Sequence, residues 1–369
     1  MQRGNEDIVN LINKIVLAAG MGSLLVGCAA QSTMNVNQAE WQMYPAETLS
    51  PEWRQYEDAT PNYRRLVTST YLTYPEWYIV YSSQEYADQL KTKLPSHFPY
   101  FSSIAQYWWG YGAVNKITKN NYPADGGDHL MLAVIGTSYS LENLIKGLYE
   151  NSIGKTTEVL SGNQQTEEDR YAQKVAEEYA NYIPEYPWYD FSYMKSLGGL
   201  WTQTSFFGPH MVRKVERKFI LSVEYSVKAV YSSIVQVGSH LTYGTVDPNV
   251  YGLASNVPHN QHIKRVKTIN GKEIVSLPSE QGFTDAVTKL TNSGMQFNDI
   301  AGNNEILVTA VAPRTWKFNN QNGQLIFTVN ILTQPKLHRL AIRVPVKSLL
   351  KTLRYLQQHK IKIEHVYAY

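Results

Sequence analysis

The chain has almost no cysteine: Cys28 is the only one in 369 residues. A disulfide framework and a zinc site built from cysteines are thereby excluded. The common catalytic signatures are missing as well. No glycine-rich phosphate loop, nucleophile elbow or His-Glu-x-x-His helix is present. No cofactor is therefore expected, and an enzyme is the less favoured reading. The apolar run from Ile15 to Gly27 falls short of the about 20 residues that a folded membrane-spanning helix needs. Wholesale disorder is excluded by 43% hydrophobic and 18% charged residues, and the length suffices for two ordinary domains. The excess is aromatic: 27 Tyr, 8 Trp and 10 Phe. Thirteen of them, from Tyr71 to Tyr111, crowd into about forty residues, where they suit a core, a partner surface or a stacking groove.

Arg3 and Lys14 precede the run from Ile15, which ends in Leu25-Val26-Gly27-Cys28-Ala29. A positive segment, a short apolar segment and small residues before a cut describe a secretory signal. With cysteine at the cut, residues 1 to 29 resemble a bacterial lipoprotein signal and its lipobox. The resemblance implies diacylation of Cys28, cleavage before it and a mature chain tethered by lipid. Ala29 after the cysteine resembles the pattern routed to the outer membrane, on its periplasmic face. Residues 28–50, polar and aperiodic, read as a tether.

Composition then splits the chain. Residues 255–369 carry a net charge of +9 and the remainder −6, and seven of the eight Trp precede position 202. The Gly/Pro/Asn-rich stretch between predicts a linker at 241–262, a helical aromatic-rich domain at 51–240 and an α+β domain at 263–369. In the first, Thr166-Glu167-Glu168-Asp169 is a capping-box pattern opening a helix to about Tyr182. Longer helices are expected from Asp128 to Asn151 and from His210 to Val237.

Those two longer helices echo each other. Ser, Glu, Lys and Tyr recur at identical offsets in 140–149 and 222–231. Ser103 to Trp108 pairs with Ser196 to Trp201, and Tyr74 to Tyr78 with Tyr186 to Tyr189, which predicts a duplication of about 75–150 and 185–235. Glu142, Lys146 and Tyr149 share one helix face, as do Glu224, Lys228 and Tyr231. Either these are ordinary surface ion pairs, or two helices side by side bring them into one four-charge cluster with tyrosine hydroxyls.

The C-terminal half alternates in hydrophobicity. Asn270-Gly271 signals a two-residue hairpin and Ser279 a helix cap. A strand, a helix and a strand recur around Pro278 to Ile300 and around Pro345 to Val366, giving a ferredoxin-like βαββαβ order. Leu349 to Tyr369, ending Ile-Glu-His-Val-Tyr-Ala-Tyr, resembles the last helix and strand of small-molecule-sensing ACT domains. That likeness implies the fold and offers a sensor role as one alternative.

Two weaker metal candidates remain, Asp125, Asp128 and His129 before a helix, and His259 with His262 in a loop. The first set defines a second alternative, a metal-dependent enzyme; the turn reading makes Asp128 an N-cap. The expectation carried forward is a non-enzymatic envelope lipoprotein. It binds a protein or polymer partner, has its membrane contact through the lipid and engages no nucleic acid. Cys28→Ser is expected to abolish acylation, read as loss of labelled fatty acid and of the lipid mass. Labelling that survives the substitution would overturn the assignment.

Overall fold

The structure is a computed structural model that describes residues 70–118, 126–243, 249–259 and 263–368, together with the backbone of Asn35–Val36. The helices are α1 (Tyr74–Leu90), α2 (Tyr100–Thr118), α3 (Gly126–Tyr149), α4 (Lys155–Leu160), α5 (Glu167–Tyr182), α6 (Tyr193–Gln203), α7 (Met211–Tyr243), α8 (Glu280–Lys289) and α9 (Leu349–Gln358). The strands are β1 (Asn35–Val36), β2 (Asn249–Ser255), β3 (Lys264–Ile269), β4 (Lys272–Pro278), β5 (Gln296–Ile300), β6 (Glu305–Pro313), β7 (Gln324–Asn330), β8 (Leu337–Pro345) and β9 (Lys362–Tyr367). The fold is mixed α+β.

Two compact units form. Of the described residues, one holds those up to Trp77, within 106–136 and after 247; the other holds Tyr78–Ala105 and those within 137–246. The linear division at 241–262 therefore needs correction. Parts of the helical stretch 51–240 belong with the strands, because the aromatic side chains there pack on a sheet.

In the first unit the strands make two antiparallel sheets, ordered β3-β4-β2-β5 and β1-β7-β8-β6-β9. Both follow one plan: three strands, a helix and a fourth strand that returns beside the first. Even the irregularities recur. The β2–β5 register slips between Leu253 and Ala254, and the β6–β9 register between Thr309 and Ala310. Likewise β3–β4 slips between Arg265 and Lys267, and β7–β8 between Leu325 and Phe327. A βββαβ segment thus occurs twice, each copy with its own sheet, where one ferredoxin-like βαββαβ sheet was expected. The echo around Pro278 and Pro345 marks the helix and last strand of each copy.

The first strand of the first copy, β2, falls inside the expected linker. Its Gly252 disguised it, and that glycine has a packing cause. A Cβ there would lie 3.2 Å from Phe297 Cδ1 and 3.3 Å from the Asp299 carbonyl on β5. The hairpin turn follows expectation: Asn270 and Gly271 both take positive φ, 50° and 77°, as a two-residue turn between twisted strands demands. Ser279 stands at the N-cap of α8, but its side chain makes no cap hydrogen bond.

One apolar core joins both copies. Phe283, Val287 and Leu290 from the α8 segment meet Leu349, Leu353 and Leu356 of α9 over Ile306, Val308, Leu340 and Ile342. The other face of the second sheet carries the pairs Arg339–Glu364 and Arg343–Glu305. Aromatic side chains cover this face. Trp77 stacks on His365 at 3.4 Å between ring centroids, and Tyr74 and Trp109 meet Phe327 edge-on at 5.1 and 5.4 Å. Thr70 Oγ1 donates to the Tyr367 carbonyl at 2.7 Å, and Gln106 Nε2 to the Asn330 carbonyl at 2.9 Å. Burial pushes the His365 imidazole well below its ordinary pKa, so it sits neutral beside the Thr284 hydroxyl, 3.1 Å from Nδ1.

The second unit is also a duplication. A 3₁₀ turn, Pro95–His97 or Trp188–Asp190, ends on a phenylalanine with nearly the same backbone angles, φ −73° and ψ 135° at Phe98, φ −68° and ψ 134° at Phe191. Tyr86 meets Phe98 edge-on at 5.1 Å and 83°; Tyr179 meets Phe191 at 5.2 Å and 84°. Phe98 and Tyr100 lie 5.0 Å apart, Phe191 and Tyr193 5.1 Å. The hydroxyls of Tyr78 and Tyr171 reach Ser103 Oγ and the Ser196 carbonyl, at 3.1 and 2.8 Å. Residues 78–103 thus correspond to 171–196, and 139–149 to 221–231. Ser103 does pair with Ser196, but Tyr74–Tyr78 does not pair with Tyr186–Tyr189. The latter enters the 3₁₀ turn, so the second copy opens with α5.

The shared apolar core sets the stability of the first unit. Phe283, fully buried, sits at its centre. Phe283→Ala is expected to lower unfolding free energy by roughly 3–5 kcal/mol in urea titration. A loss under about 1 kcal/mol would contradict the assigned packing.

Candidate functional site

Helices α3 and α7 in the second unit bring the two Glu/Lys motifs together. Lys146 Nζ lies 3.1 Å from Glu142 Oε1 and 2.7 Å from Glu224 Oε1. Lys228 Nζ lies 2.7 Å from Glu142 Oε1 and 3.3 Å from Glu224 Oε1. Four charges of alternating sign thus close a ring. Exchanging the two copies maps the ring onto itself, since the 142–228 pair becomes the 224–146 pair. Each ammonium also sits over a tyrosine of its own copy, Lys146 over Tyr86 and Lys228 over Tyr179, both at 5.6 Å.

The ring borders a cleft of about 110 Å³. Its lining is paired throughout: Ile79 with Ala172, Ser82 with Val175, Tyr86 with Tyr179, Tyr100 with Tyr193, Tyr139 with Leu221 and Asn143 with Tyr225. The two ends differ chemically. Tyr139 Oη bonds Ser82 and Ser103 at 2.7 and 2.5 Å, whereas Val175 and Leu221 make the opposite end apolar.

The electrostatics favour the fully charged ring. Loss of water raises the Glu142 pKa, but Lys228 and Lys146 outweigh it and bring it to about 2. Glu224 is lowered by the same balance. Burial pulls Lys146 down, and Glu224 and Glu142 more than restore it. Burial raises the pKa of Tyr86, Tyr100, Tyr179 and Tyr193, which keeps these phenols neutral. Glu142 keeps 42% of its side chain in solvent, so the ring specifies register more than it adds stability.

The two tyrosines expected in the cluster lie elsewhere. Tyr149 Oη donates to Glu216 at 2.8 Å, and Tyr231 stacks on Trp188 at 5.3 Å. Both lie about one turn further along their helices than the ring lysines, while Tyr86, Tyr100, Tyr179 and Tyr193, on other elements, line the cleft. His129 Nδ1 lies 3.2 Å from Tyr111 Oη, in the first unit. Cys28, Asp125, His262 and the Asp128 side chain fall outside the described residues, and His259 is exposed. Among the described residues no group of three His, Cys, Asp or Glu side chains could hold a metal ion.

A second cluster, invisible in the charge pattern, lies deeper. Arg213, Lys214, Arg217 and Lys218 of α7 are all buried. Arg213 donates to Asp169 through Nε and Nη2 and to Glu216, Thr157 and the Gly154 carbonyl through Nη1, at 2.8 to 3.3 Å. Arg217 donates to Glu150 at 2.7 Å. Lys214 donates to Glu167 and Glu168 at 3.1 and 3.2 Å, and Lys218 to the Thr204 carbonyl at 3.1 Å. Two local devices aim the acids. The capping box at the head of α5 forms as expected, and its Asp169 carboxylate also takes Arg213. A π turn over Glu150–Gly154, between α3 and α4, turns Glu150 inward, and a Cβ at Gly154 would collide with that carboxylate. A face with cations at i, i+1, i+4 and i+5, opposite an acidic run at 167–169, was the only sequence signal.

Compared with family models, with curated proteins and with solved structures, the chain matches none.

The depressed carboxylates give the second unit an acid limb. Burial raises Asp169, but Arg217 and Arg213 overrule it and hold its pKa below the ordinary range. Because the folded values of Asp169, Glu142 and Glu224 lie below the unfolded ones, their contribution is present above about pH 4 and lost as pH falls through the folded values. Asp169→Asn leaves Arg213 and Arg217 undercompensated and is expected to cost roughly 3–5 kcal/mol at neutral pH. It should also flatten the decline of the urea midpoint below about pH 4. A wild-type midpoint independent of pH there would refute the assignment.

Proposed function

We propose that this chain is a membrane-tethered lipoprotein of the cell envelope, held through Cys28, that serves as a binding or scaffold component. The helical unit docks on another envelope component. One observation supports this reading: the polarity of α3 and α7 is inverted. From Thr137 to Tyr149, every exposed position of α3 is apolar: Leu141, Leu144, Ile145 and Leu148. On α7, every exposed position from Met211 to Ile234 is apolar except Ser233. The charges of both helices are drawn into the ring and the buried cluster instead. An aqueous surface does the reverse. A face of this kind needs a cover, and the paired charges beneath it serve architecture rather than proton transfer.

A photo-crosslinking amino acid at Val227 is expected to form adducts in intact envelopes, while the same probe at exposed Lys91 forms none. Equal labelling from water at both positions, with no adduct at Val227, would overturn the docking reading.

A further inference from the structure

We propose that the component covering the outer face of α3 and α7 is the hydrocarbon of a lipid bilayer, with the second unit lying on the membrane surface. The inference rests on the reading of the chain as envelope-bound and names what its apolar face meets.

Three observations favour lipid. The first is chemistry. The duplication places Leu141, Ile145 and Leu148 in correspondence with Val223, Val227 and Val230, all between 42 and 63% exposed. Both copies therefore present the same aliphatic stripe beside the shared ring. Protein interfaces have a polar rim, about one hydrogen bond per 100–200 Å² and Tyr, Trp or Arg anchors. These six side chains are aliphatic and carry no bonding group, which suits acyl chains that ask for no geometry. The second is extent. On α7 the stripe runs from Val212 to Ile234, roughly 33 Å at about 1.5 Å per residue. All but four of the exposed large hydrophobic side chains among the described residues lie in this unit, and large exposed apolar patches mark protein or membrane contact sites.

The third is the margin. Phe206 and Phe207, 49 and 76% exposed, project from the loop before α7, and Trp201 is 51% exposed at the end of α6. Aromatic rings of this kind settle at the boundary between headgroups and chains. The mode is lying rather than crossing. Among the described residues no helix is long and apolar enough to span a bilayer, and α7 carries seven charged residues between Arg213 and Lys228. The ring lysines, 22 and 21% exposed, keep their ammonium groups on the carboxylates, and their aliphatic stems follow the stripe positions next to them in sequence.

Cys28 is the only cysteine, so Val227→Cys or Ile145→Cys in a Cys28→Ser chain supplies one thiol for a bimane probe. The labelled chain is placed with phosphatidylethanolamine/phosphatidylglycerol vesicles containing brominated acyl chains. Blue-shifted emission is expected at both positions, quenched several-fold more strongly than at Lys91→Cys. Melting close to that of the parent chain checks that the ring has survived labelling. Water-like emission unaffected by bromolipid at 145 and 227 would overturn the inference, as would a probe shielded without lipid in a dimer seen by light scattering. If the probes report no lipid but Val227 still crosslinks to an envelope protein, the docking reading stands and only the lipid assignment falls.

Discussion

Every charge on the inner side of α7 must find an opposite partner, and most of the helical unit follows from that constraint. Arg213 and Arg217 are so enclosed that water cannot solvate them, so acids have to be delivered from three separate elements. The π turn delivers Glu150, the capping box delivers Asp169, and α4 delivers Glu158. Removing one partner would strand a buried cation, which is far more costly than leaving a surface pair unmade. The Glu/Lys ring then fixes how α3 and α7 face each other.

With charge drawn inward, the outer faces can be apolar without loss of register. The interior decides the fold by complementarity of sign, and the exterior is left to aliphatic side chains. The first unit obeys the ordinary arrangement, an apolar core between helices and sheet. Its buried pairs lie on the sheet face that the aromatics cover. The aromatic excess in the composition thus resolves mainly into packing: Tyr71, Tyr74, Trp77 and Tyr107 are buried.

Local signals were readable where one short segment sets its own geometry. The Asn270-Gly271 turn, the Thr166 capping box and the helical spacing of Glu142 and Lys146 all belong to this class. The four-charge ring was within reach because duplication wrote the same residues twice. Other features depend on distant residues and leave little local trace. Gly252 made β2 look like linker because the reason for a glycine there is Phe297, far along the chain. The second helical copy was placed too late because Tyr171, Tyr179 and Phe191 match their counterparts in ring geometry while their neighbours have changed. The buried cluster was missed for a related reason: four cations in six residues normally read as a wet face. Only the assembled acids reveal otherwise.

The self-mapping ring has a consequence for ancestry. Two identical half-length chains, each with one glutamate and one lysine, would close the same four-charge ring across a homodimer. Fusion into one polypeptide frees the copies from having to mutate together. The divergence is visible already: one copy keeps a hydroxyl trio where the other has Val175 and Leu221, and Tyr149 and Tyr231 have taken unrelated partners. A symmetric assembly offers two identical ends. In this chain the two copies differ, which gives the cleft a polar end and an apolar end, and with them a direction.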